Sequence, residues 1–193
     1  ASEYRDDDTG AHVGRIGCYA KKLAKLKRLP SEFIEALYYA SALHDIGKLA
    51  IPDDLLQKKG PLTEDEFSQV KQHTTIGASI LSSASISPYL ILGAEVAKTH
   101  HECWDGSGYP FGLKGEEIPL GGRIVAICDV YDALRSSRPY KPAMSHEKTI
   151  SILRHGDGRT RPEKFDPELL RLFLANDTVF EGLYAIEKPE FKL

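Results

Sequence analysis

Apolar residues return every three to four positions along most of the chain and strict alternation is scarce, so the pattern predicts an all-α fold. The first helix begins near Asp8 and Thr9, with His12, Ile16, Tyr19 or Ala20, Leu23 and Leu26 along one face. A second opens at Ser31, runs through Phe33, Leu37 and Ser41 to His44, and stops around Gly47, a residue suited to a left-handed cap. Thr63-Glu-Asp-Glu66 forms a capping box, and Leu62 and Phe67 occupy the positions of a hydrophobic staple. The third helix that follows takes Val70, His73, Gly77 and Ile80 on its buried side. Ser87-Pro88 pairs a cap with a first-turn proline and launches a fourth helix that ends at His100 and His101.

Three glycines and a proline between Trp104 and Gly112 break helicity, and the irregular stretch continues to about Pro119. A fifth helix from about Gly122 to Arg135 carries Ile124, Ile127, Tyr131 and Leu134 on one side, with Asp129 and Asp132 on an adjoining strip. Two shorter helices follow Ser145 and Asp166-Pro167-Glu168, and the tail after Asn176 gives weak signals. The sum is a bundle of about seven helices. No repeat, low-complexity segment or Pro/Gly/Ser-rich linker divides residues 1–193, so one domain is expected. Its abrupt polar start fits a domain excised from a longer regulatory protein.

Five of the seven histidines, His12, His44, His73, His100 and His101, fall on or at the ends of four predicted helices, mostly on the apolar side. A single buried imidazole is ordinarily just a satisfied core group. Five beside Asp45 and Asp129 each carry a desolvation cost, and a common cation would relieve it. Adjacent side chains in a helix diverge by ~100°, so His44-Asp45 and His100-His101 can flank metal only near a helix end. There the carboxylate can bridge two ions, and neighbouring imidazoles can serve different ones.

Composition narrows the chemistry. Cys18, Cys103 and Cys128 are odd in number and widely spaced, which offers neither a disulfide framework nor a thiolate site and suits a reducing cytoplasm. Imidazole with carboxylate suits iron, manganese, nickel or zinc. The net charge of −3 argues against coating a nucleic-acid polymer. No segment has the apolar length of a membrane span. The basic run Lys21 to Arg28 reads as a solvated helix face, and His146 and His155 read as surface histidines.

Taken in order, His44-Asp-Ile-Gly-Lys48, His73, His100-His-Glu102, Asp105-Gly-Ser-Gly-Tyr-Pro110, Asp129-Val-Tyr-Asp-Ala-Leu134 and Phe165-Asp-Pro167 resemble the HD-GYP group of the HD superfamily. The resemblance runs from about Asp8 to Leu174 and implies an HD-domain helical bundle with a long irregular loop around Tyr109. It further implies that His44, Asp45, His73, His100, His101 and Asp129 ligate metals, with Asp45 bridging, and that His12 serves a further ion. Relatives with a third metal carry glutamate where this chain has Asp8. At fixed backbone the shorter carboxylate falls about an ångström from a bond that tolerates ~0.2 Å, which favours two ions over three.

The activity implied is cytoplasmic, metal-dependent hydrolysis of cyclic di-GMP to pGpG and onward to GMP, with iron or manganese ahead of nickel or zinc. A bridged pair of cations acidifies a shared water and neutralises phosphoryl charge. Asp45 and Lys48 stand as catalytic candidates, Lys48 neutralising phosphate or protonating the leaving oxygen. Arg138 and Lys141 match positions that hold the ligand's phosphates, arginine by gripping two oxygens at once. Tyr109 borders the site mouth, and its loop either covers the core or offers a protein-docking surface. An upstream receiver or sensor module is implied as well. Two alternatives remain: a phosphodiesterase for pGpG or 3′,3′-cyclic GMP-AMP, and a non-catalytic metal- or ligand-binding module.

Overall fold

The computed structural model describes residues 10–83, 87–137 and 142–185, and all regular structure in them is helical. The α-helices are α1 (Gly10–Leu26), α2 (Ser31–Ser41), α3 (Asp53–Leu56), α4 (Glu64–Lys71), α5 (His73–Ser83), α6 (Pro88–Thr99), α7 (Leu120–Arg135), α8 (His146–His155), α9 (Pro167–Leu174) and α10 (Asp177–Tyr184). Short 3₁₀ turns span Ile46–Ala50, Gly115–Glu117 and Pro162–Lys164. No helix among the described residues is long and apolar enough to cross a membrane.

α1 contributes Ile16, Tyr19, Ala20 and Leu23 to the core at helical spacing and packs against α2 and α7. α6 lies against α2, α5 and α7. Ile124, Ile127, Cys128 and Tyr131 of α7, none exposed, face the same core. Tyr131 meets Tyr19 and Phe173 edge to face, closing α1, α7 and α9 around one aromatic centre. The Asp166 carboxylate caps α9 by accepting from the Glu168 and Leu169 amides, and it also accepts from Arg123 Nη1 on α7 at 2.8 Å. The late Phe-Asp-Pro motif is therefore a joint between two helices.

The all-α expectation holds, and ten α-helices stand among the described residues where periodicity predicts about seven. The extra three are short α3, a break at Gln72 that divides the expected third helix into α4 and α5, and α10. The capping box forms at Thr63, yet the Phe67 ring packs against Tyr109 and stays 43% exposed, while Ile80 is 41% exposed. Apolar periodicity reads across a break in the helix that is only one residue long. α10 docks through Phe180, fully buried and stacked on Phe173 at 3.8 Å, so one ring supplies what the tail's weak pattern did not announce. α7 begins two residues earlier than expected, at Leu120. His146 corrects another expectation: it is buried and shares a 3.0 Å hydrogen bond with the Tyr131 hydroxyl.

α2 also ends sooner than expected, at Ser41, and the chain reaches Gly47 through turns and a 3₁₀ segment. Gly47 is not the left-handed cap expected of it, since its φ is not among the positive ones. Its constraint is proximity: a Cβ there would stand 1.9 Å from the His73 carbonyl oxygen and 2.5 Å from the Gly77 amide nitrogen. Gly47→Ala therefore forces α5 away, and we expect a loss of about 3 kcal/mol, read as a fall of roughly 5–10 °C in melting temperature. A melt within 2 °C of the parent would refute that contact.

Candidate metal centre

His44 and Asp45 occupy the turn after α2, His73 opens α5, His100 and His101 follow the last turn of α6, and His12 and Asp129 lie within α1 and α7. Five chain segments thus deliver seven donors. Among the described residues they fall into two groups, Asp45 with His73, His100 and His101, and His12 with His44 and Asp129. Within each group the donor atoms all lie within 4.8 Å of one another. His12, expected to serve a further ion alone, stands with His44 and Asp129, its Nε2 3.7 Å from Asp129 Oδ1. Asp8, Arg138 and Lys141 lie outside the described residues.

Asp45 sits between the groups. Its Oδ1 is 3.2 Å from His73 Nε2 and 3.6 Å from His100 Nε2, while its Oδ2 is 3.3 Å from His44 Nε2 and 2.8 Å from Lys48 Nζ. None of the imidazole contacts is a hydrogen bond: Nε2 of His44, His73 and His100 and Oδ1 of Asp45 are buried without a partner. Leaving such atoms unpaired costs about 1–3 kcal/mol each, so four together at one point make a candidate ligand set.

The far side of each ring fixes which nitrogen is free. His44 Nδ1 lies 2.7 Å from the Ser41 carbonyl, His73 Nδ1 2.7 Å from that of Val70, and His100 Nδ1 3.1 Å from those of Val96 and Ala97. A carbonyl only accepts, so Nδ1 carries the proton and donates, leaving the Nε2 lone pair for a cation. Burial lowers the pKa of His100 and His101, and neighbouring imidazoles add to it, so both stay neutral. Burial also opposes charge on His44, but the Asp45 carboxylate outweighs it and lifts His44 to about 9. Burial would raise Asp45, yet His44 and Lys48 hold it well below the usual carboxylate range. The donor set is compatible with divalent metal, whose binding would displace the His44 proton.

His12 is held differently. Its Nδ1 lies 2.7 Å from Asp132 Oδ2, and that carboxylate also accepts from Arg15 Nε at 2.6 Å, Arg15 Nη2 at 2.7 Å and the Tyr19 hydroxyl at 3.0 Å. Sequence reasoning placed Asp132 beside Asp129 but gave it no role, and it passed over Arg15. The signal was present: His12 and Arg15 on α1, like Asp129 and Asp132 on α7, are three residues apart, one turn on the same face.

The glycine-rich loop is fastened to the same place. Glu102, buried, accepts from the Phe111 amide at 2.8 Å and the Leu113 amide at 3.0 Å, and the Tyr109 amide donates to the His101 carbonyl at 3.1 Å. A Cβ on Gly108 would meet the Cys103 nitrogen at 2.3 Å, so only glycine lets the loop fold back on the His-His-Glu segment. Tyr109 is thereby laid against His101, ring centres 4.8 Å apart, and burial together with Asp45 and Asp129 raises its phenol so that it stays a neutral donor. A cleft of about 400 Å³ opens over His100, His101, Tyr109 and Asp129.

The HD domain family model matches residues 5–169. A cyclic di-GMP phosphodiesterase of Vibrio cholerae serotype O1 is 45% identical over 196 residues, covering 95% of this chain and 39% of that protein. A protein of the same name from Thermotoga maritima is 45% identical over 189 residues, covering 98% of this chain and 50% of its own length. The chain spans half or less of these curated relatives. The HD domain of the Listeria monocytogenes phosphodiesterase PgpH superposes with a TM-score of 0.62 at 20% identity, covering 94% of this chain and 96% of that one, which establishes a shared fold. With its ordered motifs assembled around one set of buried donors, the chain belongs to the HD domain family, in its HD-GYP group.

Proposed function

We propose that this domain is a metal-dependent phosphodiesterase that opens cyclic di-GMP to pGpG and carries it on to GMP, as the cytoplasmic output domain of a longer regulatory protein with a receiver or sensor upstream. The observation that carries the reading is the convergence of unpartnered Nε2 atoms of His44, His73 and His100 on Asp45, between two donor groups. Divalent ions held there would acidify a water at neutral pH and neutralise charge developing on the phosphoryl oxygens. Iron or manganese is the assignment that best suits imidazole and carboxylate donors, in a pair matching the two groups.

The chain's own residues set the geometry of the step. Asp45 joins the groups, and the carbonyls of Ser41, Val70, Val96 and Ala97 lock the rings that face it. A P–O bond forms to water as the bond to the 3′ oxygen breaks, and that oxygen takes up a proton. Lys48, with Nζ at 2.8 Å from Asp45, is the donor we assign. Tyr109, neutral and packed on His101, lines the mouth as a donor to phosphate or ribose. Arg138 and Lys141 remain our candidates for the ligand's phosphates, and we assign the Tyr109 loop, where Phe111 is exposed, as a docking surface for a protein partner.

The test is anaerobic loading with iron or manganese, metal analysis, and chromatography of cyclic di-GMP incubations. We expect about two ions per chain and the appearance of pGpG. Intact substrate at full occupancy would mark a binding module instead, and 3′,3′-cyclic GMP-AMP in the same panel reads base selectivity.

A further inference from the structure

Glu102 follows His101 in the chain and borders the cleft, so a further metal donor or a proton-transfer group is the first role its place in His100-His-Glu102 suggests. Its surroundings give another. Glu102 is 3% exposed and belongs to neither donor group among the described residues. Its Oε1 accepts from the Phe111 amide at 2.8 Å and its Oε2 from the Leu113 amide at 3.0 Å, so each oxygen is committed to the glycine-rich loop. Between those amides lies Gly112, whose φ of +67° is open to glycine and lets both N–H groups face one anion.

This clamp closes just beyond Tyr109. The Tyr109 amide donates to the His101 carbonyl at 3.1 Å, and a Cβ on Gly108 would lie 2.5 Å from the Glu102 Cα, so the loop crosses the His-His-Glu segment in contact with it. Tyr109 is thus pinned at its own amide and again at Phe111 and Leu113. Its ring lies 4.8 Å from that of His101 and meets Phe67 edge to face at 5.9 Å. A phenol carries its one donor at the end of a long lever, and a shift of about 1 Å in the loop takes that donor out of hydrogen-bond range.

We propose that Glu102 is a positioning residue: by holding Phe111 and Leu113 it fixes the Tyr109 hydroxyl at the cleft, and it neither ligates metal nor transfers a proton. The use of that hydroxyl rests on the phosphodiesterase reading above, whereas the clamp rests on geometry alone.

Glu102→Gln tests the clamp with little change of shape, since the amide keeps one acceptor and turns an N–H toward the other loop amide. In the metal-loaded protein, hydrogen exchange over residues 111–113, followed by mass spectrometry, should quicken about tenfold while α1 and α7 keep their protection. Metal content should equal the parent's, KM for cyclic di-GMP should rise about tenfold, and kcat should stay within about threefold. Made in Tyr109→Phe, the same change should raise KM by less than about twofold further, because the hydroxyl it positions is already gone. Gly112→Ala strains the loop with Glu102 intact and should repeat the KM effect in smaller degree; it decides alone if Glu102→Gln does not fold, and an unchanged KM in it would overturn the proposal. Lost metal would make Glu102 a ligand, and a fall in kcat at unchanged KM would make it a proton-transfer group. Losses additive with those of Tyr109→Phe would make the clamp structural only, and unaltered exchange would mean that there is no clamp. Each of these overturns the positioning role. Should the parent cut no substrate, the enzymatic reading fails and calorimetric titration with cyclic di-GMP decides. Binding weakened about tenfold by Glu102→Gln, and no further in the double variant with Tyr109→Phe, would uphold the role, and absent or unaltered binding would dismiss it.

Discussion

Asp45→Asn is expected to reduce turnover of cyclic di-GMP by about a thousandfold or more, some 4 kcal/mol of transition-state stabilisation, and to take the divalent metal content below one ion per chain. Asparagine keeps the shape and removes the charge, so the turn that holds it should still form. The size of the effect follows from position. Each histidine gives one neutral donor to one group, whereas Asp45 stands within 3.2 to 3.6 Å of three imidazole nitrogens with its two oxygens turned toward different groups. Losing a single imidazole leaves the rest of its group in place. Losing the Asp45 charge removes the anion common to both and sets an amide against lone pairs that need a cation. Metal analysis with single-turnover product chromatography checks this, and a variant holding parental metal with more than a tenth of the activity would sink the bridging role.

Much of this centre was legible in the chain because its donors are side chains with chemistry of their own. His44, His73 and His100 fell at helix ends or on an apolar side and Asp129 on the strip adjoining one, and the resemblance to the HD-GYP group, more than periodicity, marked them as donors. What escaped was supplied by groups that carry no signature. The Ser41, Val70 and Val96 carbonyls that lock the rings are main chain, available from any residue type. The break at Gln72, which puts His73 at the head of a separate helix, leaves no mark in a hydrophobic pattern. Gly47 was noticed for the wrong reason, since the reach of α5 toward it is a long-range contact and a cap is a local one. His146 was placed on the surface because its partner, Tyr131, lies on another helix.

The Asp132 network is the clearest case of function held up by burial, and Asp132→Ala should destabilise the domain by about 3–5 kcal/mol, lowering the melting temperature by roughly 10 °C. The carboxylate is fully buried and accepts from Arg15, Tyr19 and His12; without it the Arg15 guanidinium stays in the interior with its principal anion gone. Removing both charges together, as in Asp132→Leu with Arg15→Met, should cost less than Asp132→Ala alone, because the unmatched charge does the damage. Acid unfolding reads the same pair. Burial would raise Asp132, but its bonds from Arg15 and His12 prevail and hold it at about 2, below the ordinary carboxylate value. A depressed folded pKa stabilises above the unfolded value near 4 and loses that contribution as pH falls toward 2, here about 2 kcal/mol. The variant's stability should therefore vary less between pH 4 and pH 2 than the parent's. Since Asp132 also orients His12, metal affinity of the folded variant should fall about 10- to 100-fold. An unchanged acid limb together with unchanged metal affinity would show that Asp132 neither carries the buried pair nor steers His12.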